Sequence, residues 1–281
     1  MKFTIWDLRF TRFASAALMV WFGGADLSAQ SLTLSDPAFL QPWPLNATVA
    51  APTADLLHYT LNENTGTNLT DISAGAHNGS IRSNTDWRVG LNGSAGHSVT
   101  NSGTTGTAGN YIRSTAAVTL NANNQITVSF WANVISPWAA SKMLFESSTN
   151  FNNNSYTCAF YAVSSSAVEL ALNDNGANYY TEDYTAPSTG ATHHFVCQFD
   201  NSTTQGAVHF YVDGVLQTKT STPNNNRINT ANFANEIIFF GSRNSGSSQS
   251  EPTHGTFDDV AIFSGLLSGA QITALYNAGP Q

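Results

Sequence analysis

Gly255-Thr-Phe-Asp-Asp-Val-Ala-Ile-Phe-Ser-Gly-Leu-Leu-Ser-Gly-Ala-Gln-Ile-Thr-Ala-Leu-Tyr-Asn-Ala-Gly279 combines a strand carrying two adjacent acids with a short capped helix. Strict alternation from Phe257 to Phe263 puts Asp258, Val260 and Ile262 on one face and Phe257, Asp259, Ala261 and Phe263 on the other. Both faces are mostly apolar, so the pattern predicts a strand covered on both sides. An acid in that setting needs a partner, because an unpaired buried carboxylate is costly. A metal, a basic side chain or backbone N–H groups would each serve. In the second half, Ser268 is placed as an N-cap with Gln271 three residues on, which is a capping box. Leu267 and Ile272 suit a hydrophobic staple around it. Ile272, Leu275 and Tyr276 form an apolar stripe, and Gly279 stands where such a helix stops.

Working outward, the rest of the chain has the same β character. It is 281 residues long and rich in Asn, Ser, Thr and Gly. Short apolar runs, often alternating, are separated by turn residues, which is the signature of an all-β sandwich. Gln125 to Val134 is the clearest strand, with Val128, Phe130, Ala132 and Val134 on one face and Ser129, Trp131 and Asn133 on the other. Asp213-Gly214 reads as a tight hairpin turn between Ala207–Val212 and Val215-Leu216. About a dozen strands, one short helix and no internal repeat are expected.

The N-terminus reads as a secretory signal over residues 1–29. Lys2, Arg9 and Arg12 give a basic start, Phe13 to Phe22 is a short apolar run, and Leu27-Ser28-Ala29 is a cleavage site that leaves Gln30 first. The alternative is a retained anchor, although a comfortable span needs about 20 apolar residues. Residues 30–53 hold Pro37, Pro42, Pro44 and Pro52 and read as a linker or N-terminal arm, with Trp43 as a docking residue. Residues 54–281 form the domain. The mature chain is thus expected outside the cell or at its envelope, with no transmembrane span.

The chain carries 10 Lys+Arg against 18 Asp+Glu, a formal charge of −8. Losing residues 1–29 makes it slightly more acidic, which argues against nucleic acid as a partner. The two cysteines, Cys158 and Cys197, both fall in expected strands. An oxidising compartment allows a bridge between them, worth about 4 kcal/mol by loop entropy. The alternative is two buried thiols behaving as small hydrophobes.

Six landmarks stand in register from about Asp55 to Gly279. They are Leu57-His-Tyr-Thr-Leu-Asn-Glu-Asn-Thr-Gly66 with Asp71-Ile-Ser-Ala-Gly75, Trp87 with Gly90 and Gly93, Val128-Ser-Phe-Trp-Ala-Asn133, His193-His-Phe-Val196, Phe210-Tyr-Val-Asp-Gly214, and the C-terminal stretch quoted above. In this order they resemble the laminin-G-like, concanavalin A-like jelly-roll domains of secreted bacterial proteins. The resemblance implies a two-sheet antiparallel jelly-roll sandwich. It also implies a structural calcium ion near the meeting of the first and last strands, with Glu63, Asp71 and Asp258 as ligands. Calcium takes 6–8 oxygens, mixing carboxylates with backbone carbonyls. The alternative reading makes Asp71 an Asx-type turn, leaves Glu63 solvated and gives Asp258 backbone N–H partners.

For glycan binding, the loop Asn173-Asp174-Asn175-Gly176-Ala177-Asn178-Tyr179-Tyr180 brings amides, a carboxylate and aromatics together, with Trp131 and Trp138 as further platforms. Against this, an Asn/Asp/Gly loop is more often a turn and a strand Trp more often packing. Glycoside hydrolysis needs two carboxylates flanking one bond. The Glu-x-Asp-x-x-Glu run of laminarinase-like enzymes is absent, and the adjacent pairs Glu182-Asp183 and Asp258-Asp259 would point to opposite faces. His193-His194 lacks the further ligands of a zinc site. The expectation is a secreted, non-catalytic binding or adhesion module for a glycan or an extracellular protein surface. The alternatives are a hydrolase or lyase of the same architecture and a purely structural surface protein.

Overall fold

The computed structural model describes residues 49–83, 86–91, 96–102, 111–135, 137–148, 155–174, 178–205, 208–244 and 249–281. The expected signal, Trp43, most of the arm, Gly93 and Asn175 lie outside these. In the described residues the strands are β1 Leu57–Tyr59, β2 Asn68–Leu69, β3 Gly79–Ile81, β4 Trp87–Val89, β5 His97–Ser102 and β6 Ile112–Ser114. Next come β7 Gln125–Val134, β8 Met143–Ser147, β9 Cys158–Ala162, β10 Ala167–Asn173, β11 Tyr179–Thr185 and β12 Thr192–Asp200. The series ends with β13 Val208–Val212, β14 Val215–Leu216, β15 Lys219–Ser221, β16 Ile238–Phe240, β17 Arg243–Asn244, β18 Gln249–Ser250 and β19 His254–Ser264, followed by helix α1 Gly269–Ala278.

Two antiparallel sheets form a sandwich. The first runs β14-β13-β12-β7-β19-β5-β4, with β1 also on β19; the second runs β15-β11-β10-β9-β8-β16-β6-β3-β2. Strands β17 and β18 make a separate ribbon. The fold class read from the sequence is therefore the observed one.

The core between the sheets is aromatic. Phe130 on β7 lies 5.4 Å from Phe195 and 6.1 Å from Phe257 in its own sheet. It also lies 5.6 Å from Phe240 and 6.3 Å from Phe160 in the facing sheet. These centroid spacings are those of favourable tilted and offset pairs, so the rings tie the two layers together. Val128, Ala132 and Val134 share that inner face, as the alternation requires.

The turn after β13 follows the sequence. Asp213 and Gly214 have φ of 52° and 77°, and two successive positive φ values make the turn whose twist suits a hairpin. Helix α1 also forms as read, with reciprocal bonds between Ser268 and Gln271 and a stop at Gly279. It lies on the outer face of the first sheet, where the Tyr276 ring stacks 5.7 Å from Trp131.

Two expectations need correction. Alternation does not hold through β19. Its register against β7 shifts between Asp258 and Ala261, and Asp259 sits at φ 47°. This bulge inserts a residue and reverses the phase. Phe257 therefore joins Val260 and Ile262 in the core, while Ala261 and Phe263 pack outward with Ala54 under α1. Nor are Cys158 and Cys197 bridged: both are buried free thiols. They stand on opposite sheets, Cys158 in β9 and Cys197 in β12.

The end of the chain returns beside the first strand of the domain. β1 pairs with β19 through Leu57–Ile262, His58–Ala261 and Tyr59–Val260. Asp55 accepts the Ser264 N–H at 2.8 Å, and the Gln281 carbonyl accepts the Asn62 amide at 2.7 Å. No helix among the described residues is long and apolar enough to cross a membrane.

Candidate functional site

Strand β11 supplies the most developed polar site. Its alternation sends Tyr180, Glu182 and Tyr184 to one side and Asp183 to the other. Glu182, only 6% exposed, accepts the Tyr180 hydroxyl at 2.6 Å on one oxygen and the Tyr184 hydroxyl at 2.7 Å on the other. Lys219 of β15 donates to it at 2.8 Å. Burial alone would raise the carboxyl pKa, but Lys219 and the two hydroxyls outweigh it and hold the group below its ordinary value. The anion therefore persists with fixed orientation. Burial, then the neighbouring Glu182, raise both tyrosines, so they stay protonated donors.

These groups line an open cleft of about 370 Å³ with Gln205, His209 and Gln217 on its walls. That size lies within the range of small-ligand pockets. Aromatic rings, an oriented carboxylate, a cation and amides together can exchange hydrogen bonds with vicinal hydroxyls. Across the sheet, Asp183 accepts the Ser221 hydroxyl at 2.7 Å and faces Glu169, its register partner. Burial, opposed by the Tyr161 hydroxyl and reinforced by Asp183, pushes Glu169 up to about 7.

Among the described residues of the loop singled out in the sequence, only Tyr180 lines this cleft. Asn173 is fully buried, and its N–H donates to the Thr157 carbonyl at 2.9 Å. Asp174 accepts the N–H groups of Ile228 and Asn229 at 2.9 and 3.2 Å, and its own N–H donates to the Asn178 carbonyl at 3.1 Å. The Tyr179 N–H donates to Asn226 at 2.8 Å. The loop thus clamps residues 226–229. Trp131, 2% exposed, forms the floor of a hollow of about 320 Å³ between the sheet, residues 51–54 and α1. Trp138, 5% exposed, donates its indole N–H to the Pro187 carbonyl at 2.6 Å. Both indoles are covered, as packing residues are. Glu182 was noticed in the sequence only as half of an acidic pair. The repeat Tyr180-x-Glu182-x-Tyr184 was the available signal, while Lys219, Gln205 and Gln217 gave none.

At the β1–β19 junction the acids separate by role. Asp71 spends both oxygens on backbone, accepting His58 and Ser73 N–H groups at 2.8 and 2.9 Å on one and the His77 N–H at 2.6 Å on the other. Glu63 accepts the Thr70 N–H at 2.8 Å on one oxygen, and its second oxygen is buried with no hydrogen-bond partner. Asp258 accepts the Leu91 N–H at 2.9 Å, and its second oxygen is likewise buried and unpartnered. Burial pushes Asp258 up to about 7. A chain of contacts links the two ends: Leu91 follows Gly90, whose N–H donates to Gly96, and the His97 N–H donates to Asn62, the neighbour of Glu63. Among the described residues no three His, Cys, Asp or Glu side chains gather as a metal-binding group. Asp259, at the bulge, contacts His58 at 2.6 Å.

Comparison with known proteins agrees with this architecture. No curated protein matches the sequence. Among solved structures, domain 4 of AbnA, an extracellular GH43 arabinanase from Geobacillus stearothermophilus crystallised with arabinotriose, is 20% identical. The match covers 79% of this chain and 98% of that one, with a TM-score of 0.55. The botulinum neurotoxin serotype D binding domain is 17% identical with a TM-score of 0.55, and the match covers 80% of this chain but 51% of that one. The related serotype DC binding domain, solved with SialylT, is 15% identical with a TM-score of 0.56 over the same shares. At these identities the likeness establishes fold. A family model described as the concanavalin A-like lectin/glucanases superfamily, of the laminin-G type, matches residues 105–273. The chain belongs to that superfamily.

Proposed function

We propose that this protein is a secreted carbohydrate-binding module that recognises its glycan in the cleft beside β11. The observation that carries the reading is the buried Glu182 carboxylate, aligned by Tyr180, Tyr184 and Lys219 on the wall of an open cleft that also presents Gln205 and Gln217. Tyr180, Tyr184 and Lys219 take three of the carboxylate's roughly four acceptor sites, which leaves one for a sugar hydroxyl, and flanking amides offer both donors and acceptors. Binding at loops and strand edges of a rigid sandwich needs no moving part. Superfamily membership supports this reading, and so does the arabinotriose bound to the similar arabinanase domain. The test is a glycan array with the purified protein and the E182Q and K219A variants. Binding lost in both variants supports the cleft. Binding that survives both overturns it.

A structural calcium ion is part of the same proposal. Glu63 and Asp258 fit the metal, because each buries one oxygen without a partner. They would hold it with backbone carbonyls completing the shell, and the ion would stabilise the junction of the chain ends. Asp71 would shape the adjoining loop rather than ligate. Added calcium is expected to raise the melting temperature, EDTA to reverse the rise, and D258N to abolish it. A melting curve indifferent to calcium and EDTA sinks this part. Export rests on the basic start and apolar run of residues 1–29. A secreted product whose N-terminus is Gln30 would bear it out, and the acidic balance supports a glycan or protein partner over nucleic acid.

A further inference from the structure

We propose that Ser188, His193 and Asp213 form a serine-nucleophile centre for acyl transfer, acting on carboxylic esters. This centre is separate from the glycan cleft and shares no residue with it. The Ser188 hydroxyl lies 2.9 Å from His193 Nε2, and His193 Nδ1 lies 2.8 Å from an oxygen of Asp213. The nucleophile, the base and the group that orients the base are thus joined in series, which is how such a triad is recognised irrespective of fold.

The geometry assigns the protons. An ionised carboxylate only accepts, so His193 carries its hydrogen on Nδ1 and presents the Nε2 lone pair to the serine. Asp213 cannot swing away. Its other oxygen accepts the His194 N–H at 2.9 Å, its own N–H donates to the His194 carbonyl at 2.9 Å, and it occupies the two-residue turn after β13. Ser188 is exposed at the surface, yet its segment is fastened. The Pro187 carbonyl accepts the Trp138 indole N–H at 2.6 Å, and the Gly190 N–H donates to the Val134 carbonyl at 2.7 Å. Val134 and Trp138, which hold this segment, also line a hollow of about 160 Å³ with Lys142, Thr253 and His254.

The chemistry closes without any further reagent than water. Ser188 Oγ attacks the ester carbonyl carbon while its proton passes to His193 Nε2. The carbon–oxygen bond to the leaving alcohol breaks, and that alcohol takes the proton from the imidazolium. Water then repeats the sequence on the acyl-serine, releasing the carboxylic acid and restoring the hydroxyl.

The purified protein is assayed with p-nitrophenyl acetate, and in parallel treated with a fluorophosphonate and mapped by peptide mass spectrometry. The expected results are an adduct on Ser188 and hydrolysis that falls by about a hundredfold or more in S188A and in H193Q, the range of a lost nucleophile or base. Ser188 is exposed, so S188A should keep the wild-type melting temperature and glycan binding. No adduct on Ser188, or an S188A protein that hydrolyses at the wild-type rate, overturns the proposal. Glycan binding lost in E182Q but not in S188A would keep the two sites distinct.

Discussion

Both oxygens of Asp71 are engaged by backbone N–H groups of His58, Ser73 and His77, while its own N–H donates to Asn78 at 3.0 Å. One side chain therefore closes the loop after β2 and ties it to β1. Removing it leaves several donors unsatisfied in a nearly buried place, which is among the costlier single changes. D71A is expected to lower stability by about 3 kcal/mol, read as the shift in urea midpoint. Because the carboxylate is spent on backbone, D71A should still gain melting temperature on adding calcium, and a D71A protein blind to calcium would return the residue to the ligand set. Asp71 was legible in the sequence as an acid with a task. Which task was not, because an Asx turn and a metal loop draw on the same residue types.

Strands and their partners were legible wherever period and turn chemistry agreed, as in β7 and the Asp213-Gly214 hairpin. The period failed in β19 because a bulge is one extra residue, and nothing in Asp-Asp-Val announces it. The cysteines illustrate the same limit. Their strands were identifiable, but the sheet each strand joins was not. Cys158 lies in β9 of the second sheet and Cys197 in β12 of the first. Burial pushes both thiols well above their ordinary pKa, so they stay protonated and unreactive. Ellman's reagent is therefore expected to find no thiol in the folded protein and both in urea without reductant. No reaction in urea would mean that a bridge forms after all.

Across the whole molecule, the cleft was illegible because it gathers β11, the segment before β13, the segment after β14, and β15, a grouping that only the topology reveals. Global stability carries a further consequence of the same sheet. Glu169 is raised to about 7, first by burial and then by Asp183. Below about pH 4.5 the folded and unfolded chains both hold this proton. Between there and about 7 the unfolded chain releases it first, so the group lowers stability as pH rises. His194 works in the opposite sense: burial lowers it to about 4, so it costs stability as pH falls from 6.5. The contribution of Glu169 is therefore isolated by comparing two proteins rather than two pH values. E169Q keeps an acceptor for Tyr161 and gains a donor toward Asp183, with no proton to release. It should match the wild type near pH 4.5 and exceed it by about 2 kcal/mol at pH 8, a melting difference on the order of 5 °C. His194 is present in both proteins and cancels in the difference. A gap that stays constant from pH 4.5 to 8 would show that Glu169 is ionised in the fold at an ordinary pKa, and that the acidic pair on this face is solvated rather than sharing a proton.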